Sequence, residues 1–332
     1  MTPDWQLIIN GQDVSDRFEN RLISISLRDS RGFEADQVDI VVDDSDDTLQ
    51  LPNVDATLQL KIGWAGIGRA NKNQNLVDKG EFKITEIEHT GAPDTITIRA
   101  LSADIKSGLL SQKTKAWHDT TLGAIISSIA DKHGLKTAIG PQLSTRVIKH
   151  LDQTDESDAH LLTRLGVDHD AIATVKNGYL VFIRQSESHT ASGTALKPVE
   201  ISRADGDQHS YRESSKKDQY SGVTARWLDV NTAKVTDEII GEAGNTKVLR
   251  KTYPDQAGAK AAAEAEWRRI GRAEASMSYT LAVGQAELIP ETPISLEGFK
   301  KTITDKNWVL AEVSHQISGS GFTSGLVMEI SK

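Results

Sequence analysis

Residues 82–89 read FKITEIEH and residues 308–315 read WVLAEVSH, and these two stretches decide the fold. In each, an aliphatic residue (Ile84 or Leu310) is followed two positions later by glutamate, three later by another aliphatic residue and five later by histidine. The three-residue step, as from Ile84 to Ile87, interrupts the alternation of a strand and predicts a β-bulge in each stretch. The sequence therefore predicts a duplicated β unit, with one copy near each end of the chain.

Strands around the first stretch are marked by apolar residues at alternate positions, which place one set of side chains in the core and the other in water. The alternating sets are Trp5, Leu7 and Ile9; Ile23, Ile25 and Leu27; Val38, Ile40 and Val42; and Leu58, Leu60 and Ile62. Pro52 precedes the strand at 58–62, and Pro293 precedes the corresponding strand at 294–296. Short strands separated by turn residues predict an antiparallel sandwich or barrel.

Helical spacing of apolar residues appears first at 119–135. Asp119 or Thr120 is the predicted N-cap, and Gly134 suits the left-handed position after the last turn. A second, shorter helix is predicted at 158–165, because its leucines lie on one face.

Three further segments complete the connections. An alanine-rich helix is predicted at 254–270, with Pro254 in its first turn. Residues 175–183 predict a hairpin that turns at Asn177-Gly178. The polar stretch 185–203 predicts an exposed loop.

Composition limits the classes of protein. The 332 residues (36.2 kDa) suffice for about two domains. There are no cysteines, which excludes disulfides, thiol nucleophiles and cysteine metal sites. No apolar run approaches the ~18 residues of a membrane span, and the N-terminus lacks the layout of a signal peptide. We therefore expect neither membrane insertion nor secretion.

The net charge of −9 disfavours nucleic-acid binding, because that affinity depends on lysine and arginine replacing counterions along the phosphates. The basic residues are scattered, so we expect no specific nucleic-acid binding. A solvated acidic surface that keeps the protein soluble accounts for the charge. Alternatively, an acidic face lines a passage that DNA crosses without binding.

Several motifs, in order along nearly the whole chain, resemble one family, the phage late control protein D proteins, which form the hub of contractile-tail baseplates. The central segment KAWHDTTL (115–122) resembles the middle of that family. QTDESD (153–158) followed by LLTRL (161–165) is similar to a signature that the family shares with type VI secretion spike proteins. The remaining matches are VTARW at 223–227, the alanine-rich helix ending near Trp267, and Val313-Ser314-His315 followed by Gly321-Phe322-Thr323.

This resemblance implies a homotrimer that forms a pseudo-sixfold ring, with the tail tube protein above and the tail spike protein below. Tape-measure and other baseplate proteins are further expected partners, and the expected location is the virion tail baseplate, assembled in the host bacterial cytoplasm. A type VI spike protein would continue past Lys332 into an OB-fold and a long β-helix, so we expect the spike to be a separate chain. The implied role is mechanical: the hub adapts symmetry, holds the spike until contraction and leaves an axial passage.

The expected fold is mainly β with α insertions (α+β). Two similar tube-like antiparallel β-barrel domains are predicted at 1–112 and 216–332, and the second includes the alanine-rich helix. A helical and hairpin insertion region is predicted between them at 113–215. Two similar domains per chain give six similar units in a trimer, so one ring matches a sixfold partner on one side and a threefold partner on the other.

The sequence predicts no enzyme, and no catalytic, cofactor-binding or metal-ligating residue. The acidic motif at 153–158 is interpreted as structural, with Asp155 or Ser157 capping the following helix and Asp158 favouring its positive end. Arg164 and Asp168 lie four residues apart and are expected to pair along the helix or across an interface.

The nine histidines show no metal-binding spacing. His118 and Asp119 are adjacent, so their side chains diverge on regular structure, and no nucleophile accompanies them. His89 and His315 recur at equivalent points of the repeat, which fits a structural role better than catalysis.

Two loops resemble ligand-binding motifs only superficially. Residues 63–68 are glycine-rich but lack the lysine of a phosphate loop, which favours an extended hairpin loop. The acidic run of Asp43, Asp44, Asp46 and Asp47 lacks the glycine and distal glutamate of a calcium loop, which favours a solvated turn.

Three alternatives remain open at this level. The hub of a bacteriocin or a type VI secretion-like machine has the same architecture, and neighbouring genes distinguish it. A tail-associated cell-wall hydrolase is a second alternative, opposed by the absence of an inserted domain. A transcription regulator is a third, opposed by the acidic charge and the lack of a basic recognition helix.

Overall fold

The structure is a computed structural model that describes residues 1–33, 35–66, 75–103, 107–176, 178–186, 188–189, 194–214, 220–229 and 232–331. Strands dominate it. They are β1 (Pro3–Ile9), β2 (Gln12–Asp13), β3 (Leu22–Ser30), β4 (Gln37–Asp43), β5 (Thr57–Trp64), β6 (Leu76–Thr90), β7 (Thr95–Ser102), β8 (Gln112–Thr121), β9 (Lys136–Ile139), β10 (Val147–Ser157), β11 (Ala171–Lys176), β12 (Tyr179–Arg184), β13 (Val199–Ser202), β14 (Gly206–Glu213), β15 (Gly222–Asp229), β16 (Lys234–Gly241), β17 (Thr246–Tyr253), β18 (Ala275–Leu281), β19 (Pro293–Glu297), β20 (Trp308–Ser318) and β21 (Gly321–Ile330).

Helices are fewer and lie mostly in the middle of the chain. They are α1 (Ser15–Phe18), α2 (Leu122–Lys132), α3 (Pro141–Ser144), α4 (Asp158–His169), α5 (Gln256–Arg272) and α6 (Lys301–Thr304), with 3₁₀ turns at Ser107–Leu110 and Arg203–Asp205. The predicted class, mainly β with helical insertions, is confirmed. None of the helices described is long and apolar enough to span a membrane.

The duplication is visible in the order of the strands. The first unit has the order β3-β4-β7-β6-β5-β1, and the second has the order β14-β18-β21-β20-β19-β13. Numbered along the chain within each unit, these two orders are identical. One difference is that β1 runs antiparallel to β5, whereas β13 runs parallel to β19.

Both predicted β-bulges are confirmed, and they occupy equivalent places. The register between β6 and β7 shifts between Ile84 and Glu86, and the register between β20 and β21 shifts between Leu310 and Glu312. The extra residue is therefore Thr85 in one unit and its counterpart in the other. A bulge bends its strand and increases the local twist, so both units curve at the same point.

The two units share one sheet and do not close into separate barrels. β20 pairs with β3, and the described strands of both units form a 13-stranded open sheet. The expectation of two closed barrels was wrong because β19 covers β20 only at Trp308 and Val309. The rest of that edge of β20 is therefore available, and it pairs with β3 of the other unit.

Each unit has its own apolar cluster on one face of the sheet. The cluster of the first unit includes Leu7, Ile40 and Phe82, and that of the second includes Tyr279 and Trp308. Fully burying one such side chain contributes about 1.5–3 kcal/mol. The alternating positions read from the sequence are the buried ones, apart from Ile23, which is exposed, and Trp5 and Ile9, which are half-buried.

The middle of the chain forms a separate cluster around α2 and α4. Helix α2 is capped by Thr121, whose Oγ1 accepts a hydrogen bond from the Ala124 N–H at 3.2 Å, and not by Asp119 or Thr120. Gly134 has φ +62°, as predicted. Helix α4 continues four residues beyond the predicted end at Leu165, and Asp170 ends it in the left-handed conformation.

The remaining local predictions have mixed outcomes. The hairpin of β11 and β12 is confirmed, although Asn177 at its turn lies outside the described residues. Residues 199–202 of the predicted loop form β13, because they pair with β19; Glu187 and residues 190–193 lie outside the described residues. Helix α5 is capped by Asp255, so Pro254 precedes the helix instead of lying in its first turn.

The predicted domain boundaries stay a prediction. β13 and β14 precede residue 216, yet they complete the strand order of the second unit. β15, β16 and β17 form a separate three-stranded sheet against α5, with their own apolar cluster.

Candidate functional site

The seam between β20 and β3 shows how one unit joins another. The two strands pair antiparallel from Glu312 opposite Ser30 to Ser318 opposite Ser24. The Arg28 guanidinium donates to the Glu312 carboxylate at 2.8 Å across the seam. On the opposite face, His315 lies across from Leu27, and both side chains are buried. The seam therefore combines backbone pairing, an exposed ion pair and a buried apolar row.

Two further strand edges of the main sheet have no neighbour among the described strands. β14 ends the path and pairs only with β18. β6 leaves β5 after Lys83, so residues 86–90 pair with β7 on one side only. An unpaired edge presents N–H and C=O groups that can pair with another chain. These edges are the candidate assembly site of the molecule.

Two arginines on the polar face of the sheet are paired with glutamates. Arg99 donates to Glu86 at 2.6 Å and to Glu88 at 3.2 Å, as Arg28 does to Glu312. Exposed pairs of this kind contribute only about 0–1 kcal/mol each. Their consequence is electrostatic, since they neutralise positive charge on this face.

A buried ion pair ties the middle of the chain to this sheet. Lys176 at the end of β11 contacts the Asp29 carboxylate, and its Nζ lies 3.3 Å from Asp36 Oδ2. Burial alone would lower the pKa of Lys176, but Asp29 and Asp36 outweigh burial and raise it. Burial raises the pKa of Asp36 to about 6, against the opposing effect of Lys176.

A cavity of about 540 Å³ lies beside this pair, between the main sheet and the β11–β12 hairpin. One wall is apolar and includes Ile172 and Val181, whereas the other carries Asp36 and Glu291. Burial raises the pKa of Glu291, whose carboxylate lies 3.6 Å from Arg31. Asp36 on this wall pairs with Lys176, and Glu291 pairs with Arg31.

The acidic motif at 153–158 joins β10 to α4. Arg164 donates to Glu156 Oε1 at 3.0 Å and to Oε2 at 2.6 Å, so the two halves of the signature contact each other directly. Ser157 caps α4 by accepting from the His160 N–H at 3.2 Å, which confirms one of the two predicted caps. Asp155 instead has φ +47° and contacts Thr114.

Asp158 is the centre of a buried cluster that the sequence did not reveal. Its carboxylate accepts from Lys113 at 2.6 Å, from Gln153 at 3.0 Å and contacts His133 Nε2 at 2.9 Å. Burial raises the pKa of Asp158, but the hydrogen bonds from His133, Lys113 and Gln153 outweigh burial and lower the pKa to about 2. The predicted role of Asp158 at the positive end of α4 is thus secondary, and its main role is to hold β8, α2 and β10 together.

Arg164 does not pair with Asp168 along the helix, and their pairing across an interface stays a prediction. Arg164 reaches back to Glu156, whose two oxygens match the guanidinium fork. Asp168 lies 3.2 Å from Lys251 on β17. Four-residue spacing on a helix permits a pair, but a better acceptor on the preceding strand takes the arginine.

The histidines occupy different surroundings. His118 Nδ1 lies 3.1 Å from His150 Nδ1 on the neighbouring strand, while Asp119 follows it with φ +41°. His315 is buried and its Nδ1 contacts Ser324 Oγ at 2.9 Å. His89, its counterpart, is 44% exposed, with Nε2 3.7 Å from Asp44. The difference arises because β20 has β3 on its second edge at this point, whereas β6 has only β7 beside it among the described strands.

The structure also shows parts of the glycine-rich stretch at 63–68 and of the acidic run at 43–47. Gly63 and Trp64 belong to β5, so the predicted loop begins later than expected, and residues 67–74 lie outside the described residues. Asp44 of the acidic run is buried and accepts from the Leu49 N–H at 3.0 Å. The prediction of a solvated turn was therefore wrong for Asp44. Within the described parts of the chain, no three histidine or carboxylate side chains are grouped to hold a metal ion.

We expect the free energy of unfolding to fall as the pH drops below 6.5, because the buried His315 and the half-buried His169 resist protonation. Burial lowers the pKa of His315 to about 3 and that of His169 to about 4. Since both values lie below the ordinary 6.5, the unfolded chain binds protons first, and each histidine contributes a loss of ~1.4 kcal/mol per pH unit in that window.

Urea unfolding of the wild type and of His315→Asn at pH 7.5 and pH 5.0 measures this effect. The loss between the two pH values is expected to be about 2 kcal/mol smaller in the variant. Asp36 acts in the opposite direction in both proteins, because its raised pKa adds stability as the pH falls. An unchanged pH dependence in His315→Asn would show that His315 is not buried in its neutral form.

Comparisons with known proteins match one family over most of the chain and find the same fold in solved structures. The family model described as "Phage tail baseplate hub (GPD)" matches residues 37–321. A "Probable baseplate hub protein" of Escherichia phage 186 is 37% identical, with 99% of this chain and 93% of that protein covered. Among solved structures, a 43 kDa tail protein of prophage MuSo2 from Shewanella oneidensis has a TM-score of 0.72 at 13% identity, covering 98% of both chains. The E. coli type VI secretion component c3393 has a TM-score of 0.55 at 11% identity, with 94% of this chain and 74% of that chain covered.

Proposed function

The chain belongs to the phage tail baseplate hub (GPD) family, and from this premise we propose that three copies form a symmetry adaptor between a sixfold tail tube and a threefold spike. The hub holds the spike until the tail contracts and leaves an axial passage. The proposed place of action is the virion baseplate, after assembly in the cytoplasm of the host. Tape-measure and other baseplate proteins are further candidate partners.

One observation carries this proposal: the chain contains two units with the same strand order, joined edge to edge by β20 and β3. Three such chains supply six similar units around an axis. A ring of six similar units matches a sixfold tube. Because the two units of each chain are not identical, the ring repeats only three times and so matches a threefold spike. Closed cyclic symmetry also pairs the edges through which further copies could add.

The polar face of the sheet suits a passage for DNA. Two of its arginines are paired with glutamates, in the Arg99–Glu86 and Arg28–Glu312 contacts. The chain as a whole has a net charge of −9. Phosphate groups therefore find few free cations to bind, and DNA passes without being retained.

Electron microscopy of the hub mixed with its spike protein tests the adaptor. We expect end-on views with six similar lobes around a threefold axis, and side views with the spike on one end of the ring. Particles with no ring, or rings with a different number of lobes, would contradict the proposal.

We propose that the chain is not an enzyme, and a zymogram on purified cell wall tests this part. No clearing is expected at any protein concentration. A DNA-binding titration at 50 mM and 200 mM salt is the companion measurement, and we expect no specific complex at either concentration. Clearing of the cell wall would replace the mechanical role with a hydrolytic one.

A further inference from the structure

The seam inside the chain has a counterpart at the edges that remain unpaired. One row of paired residues crosses the first unit, and an equivalent row crosses the second. The rows are Ile84, Ala100, Val38 and Leu27 in the first unit, and Leu310, Met328, Met277 and Tyr211 in the second. Both rows start at the residue before a bulge, so they fix which residues of β14 correspond to those of β3.

By this equivalence, β14 corresponds to β3, and residues 86–90 of β6 correspond to residues 312–316 of β20. β20 pairs with β3 within the chain. The corresponding pair, β6 with β14, is not formed within the chain, and the outer edges of both strands are unpaired among the described strands. Each therefore fits the opposite edge of a second copy.

We infer that neighbouring copies of this chain join by antiparallel pairing of β6 with β14, in the register of the β20–β3 seam. In this register Glu88 lies opposite Arg212, His89 opposite Tyr211, and Thr90 opposite Ser210. This inference rests on the proposed trimer and names its contact surface. A trimer closed in this way contains three internal and three intermolecular seams of one kind.

Charge complementarity supports the register. The internal seam carries an ion pair between Arg28 and Glu312 at 2.8 Å. Their counterparts are Arg212 on β14 and Glu86 on β6, and Arg212 is exposed. Glu88, two residues further along β6, faces Arg212 directly in this register. Opposite charges across paired strands are favourable, whereas a shift of one residue would set Arg212 against an apolar side chain, Ile87, or against His89.

The burial of the residues in the internal seam also supports the proposed register. In the internal seam, His315 and Leu27 are 1% and 2% exposed. Their counterparts, His89 and Tyr211, are both partly exposed in the single chain. A β14 strand laid against β6 covers His89 in the way that β3 covers His315, so the exposure of His89 reflects a missing neighbour.

Engineered disulfides test the register, because the chain has no cysteine of its own and each introduced pair reports one contact. The test variant is Thr90→Cys with Ser210→Cys, which lie opposite each other in the proposed seam. The matched control is Thr90→Cys with Ser214→Cys, about 13 Å out of register and beyond the ~7 Å limit between the Cα atoms of a disulfide. Both are oxidised in the presence of the spike protein and separated by size under non-reducing conditions.

We expect covalent dimers and trimers from the test pair and single chains from the control pair. A charge variant supplies a second measurement: Arg212→Glu places like charges across the seam and is expected to weaken trimers about tenfold or more, and Glu88→Arg in the same chain restores them. Arg250→Glu, an exposed change of the same charge on β17, is expected to leave the trimer unchanged.

The outcomes separate this inference from the trimer itself. Trimers that cross-link only through the control pair, or that are indifferent to Arg212→Glu, overturn the register and leave the symmetry adaptor standing. A chain that stays monomeric with and without the spike overturns both.

Discussion

Asp170→Asn is expected to lower the free energy of unfolding by about 3–5 kcal/mol, the cost of removing one charge of a buried, hydrogen-bonded ion pair. Asp170 and Arg272 are 2% and 3% exposed as side chains, and the Asp170 Oδ2 accepts from Arg272 at 3.0 Å and from Arg268 at 2.8 Å. Arg272 also lies 3.6 Å from Glu329 on β21. This one cluster therefore joins the end of α4, helix α5 and the main sheet.

Asparagine is the informative replacement because Asp170 has φ +54°, and asparagine tolerates that left-handed conformation. The loss then reports the missing charge and not backbone strain. Asp168→Asn is the matched control, since Asp168 lies two residues away and makes a more exposed pair with Lys251. We expect the control to change the free energy of unfolding by less than about 1 kcal/mol in urea titrations. Equal effects of the two changes would contradict the account of the cluster.

Asp158→Ala is expected to cost a similar amount, about 3–5 kcal/mol. Asp158 is fully buried, and its removal leaves His133 and Gln153 without their acceptor in the interior. Lys113 is 22% exposed and becomes partly hydrated in the variant. The loss of stability therefore arises mainly at His133 and Gln153. The measurement is the urea midpoint and slope by circular dichroism.

The control for this change lies in the same motif. Asp155 is exposed, and its carboxylate contacts Thr114 at 3.2 Å. Asp155→Asn keeps the tolerance for its positive φ and is expected to change stability by less than about 1 kcal/mol. If Asp158→Ala proved as mild as this control, the buried cluster would not hold the middle of the chain together.

Much of the local structure could be predicted from the sequence, because it depends on neighbours along the chain. The step from Ile84 to Ile87 breaks a two-residue period, and that break is a bulge in the structure. Ser157 precedes an apolar helical face and caps it. Alternation of apolar residues identified most of the buried positions of the first unit.

The contacts that join the parts could not be predicted, because they depend on residues far apart in sequence. Arg28 and Glu312 are 284 positions apart, and Asp170 and Arg272 are 102 apart. Short-range patterns carry no information on such pairs. The open sheet illustrates the same limit: two similar units suggest two separate barrels, and only the structure shows that β20 pairs with β3.

Arg164 shows where a local rule fails for a physical reason. Spacing on α4 favours Asp168 as its partner, but Glu156 offers two oxygens in the plane of the guanidinium. A bidentate, charge-assisted pair is stronger than a single exposed contact. Tertiary geometry therefore decides the pairing.

The absolute mass in solution, measured by light scattering for the chain alone and mixed with its spike protein, tests the central claim most directly. One chain has a mass of 36.2 kDa. The symmetry adaptor predicts three times that mass, either for the chain alone or as a complex of three hub chains with three spike chains. A stable single chain that is indifferent to the spike would contradict it.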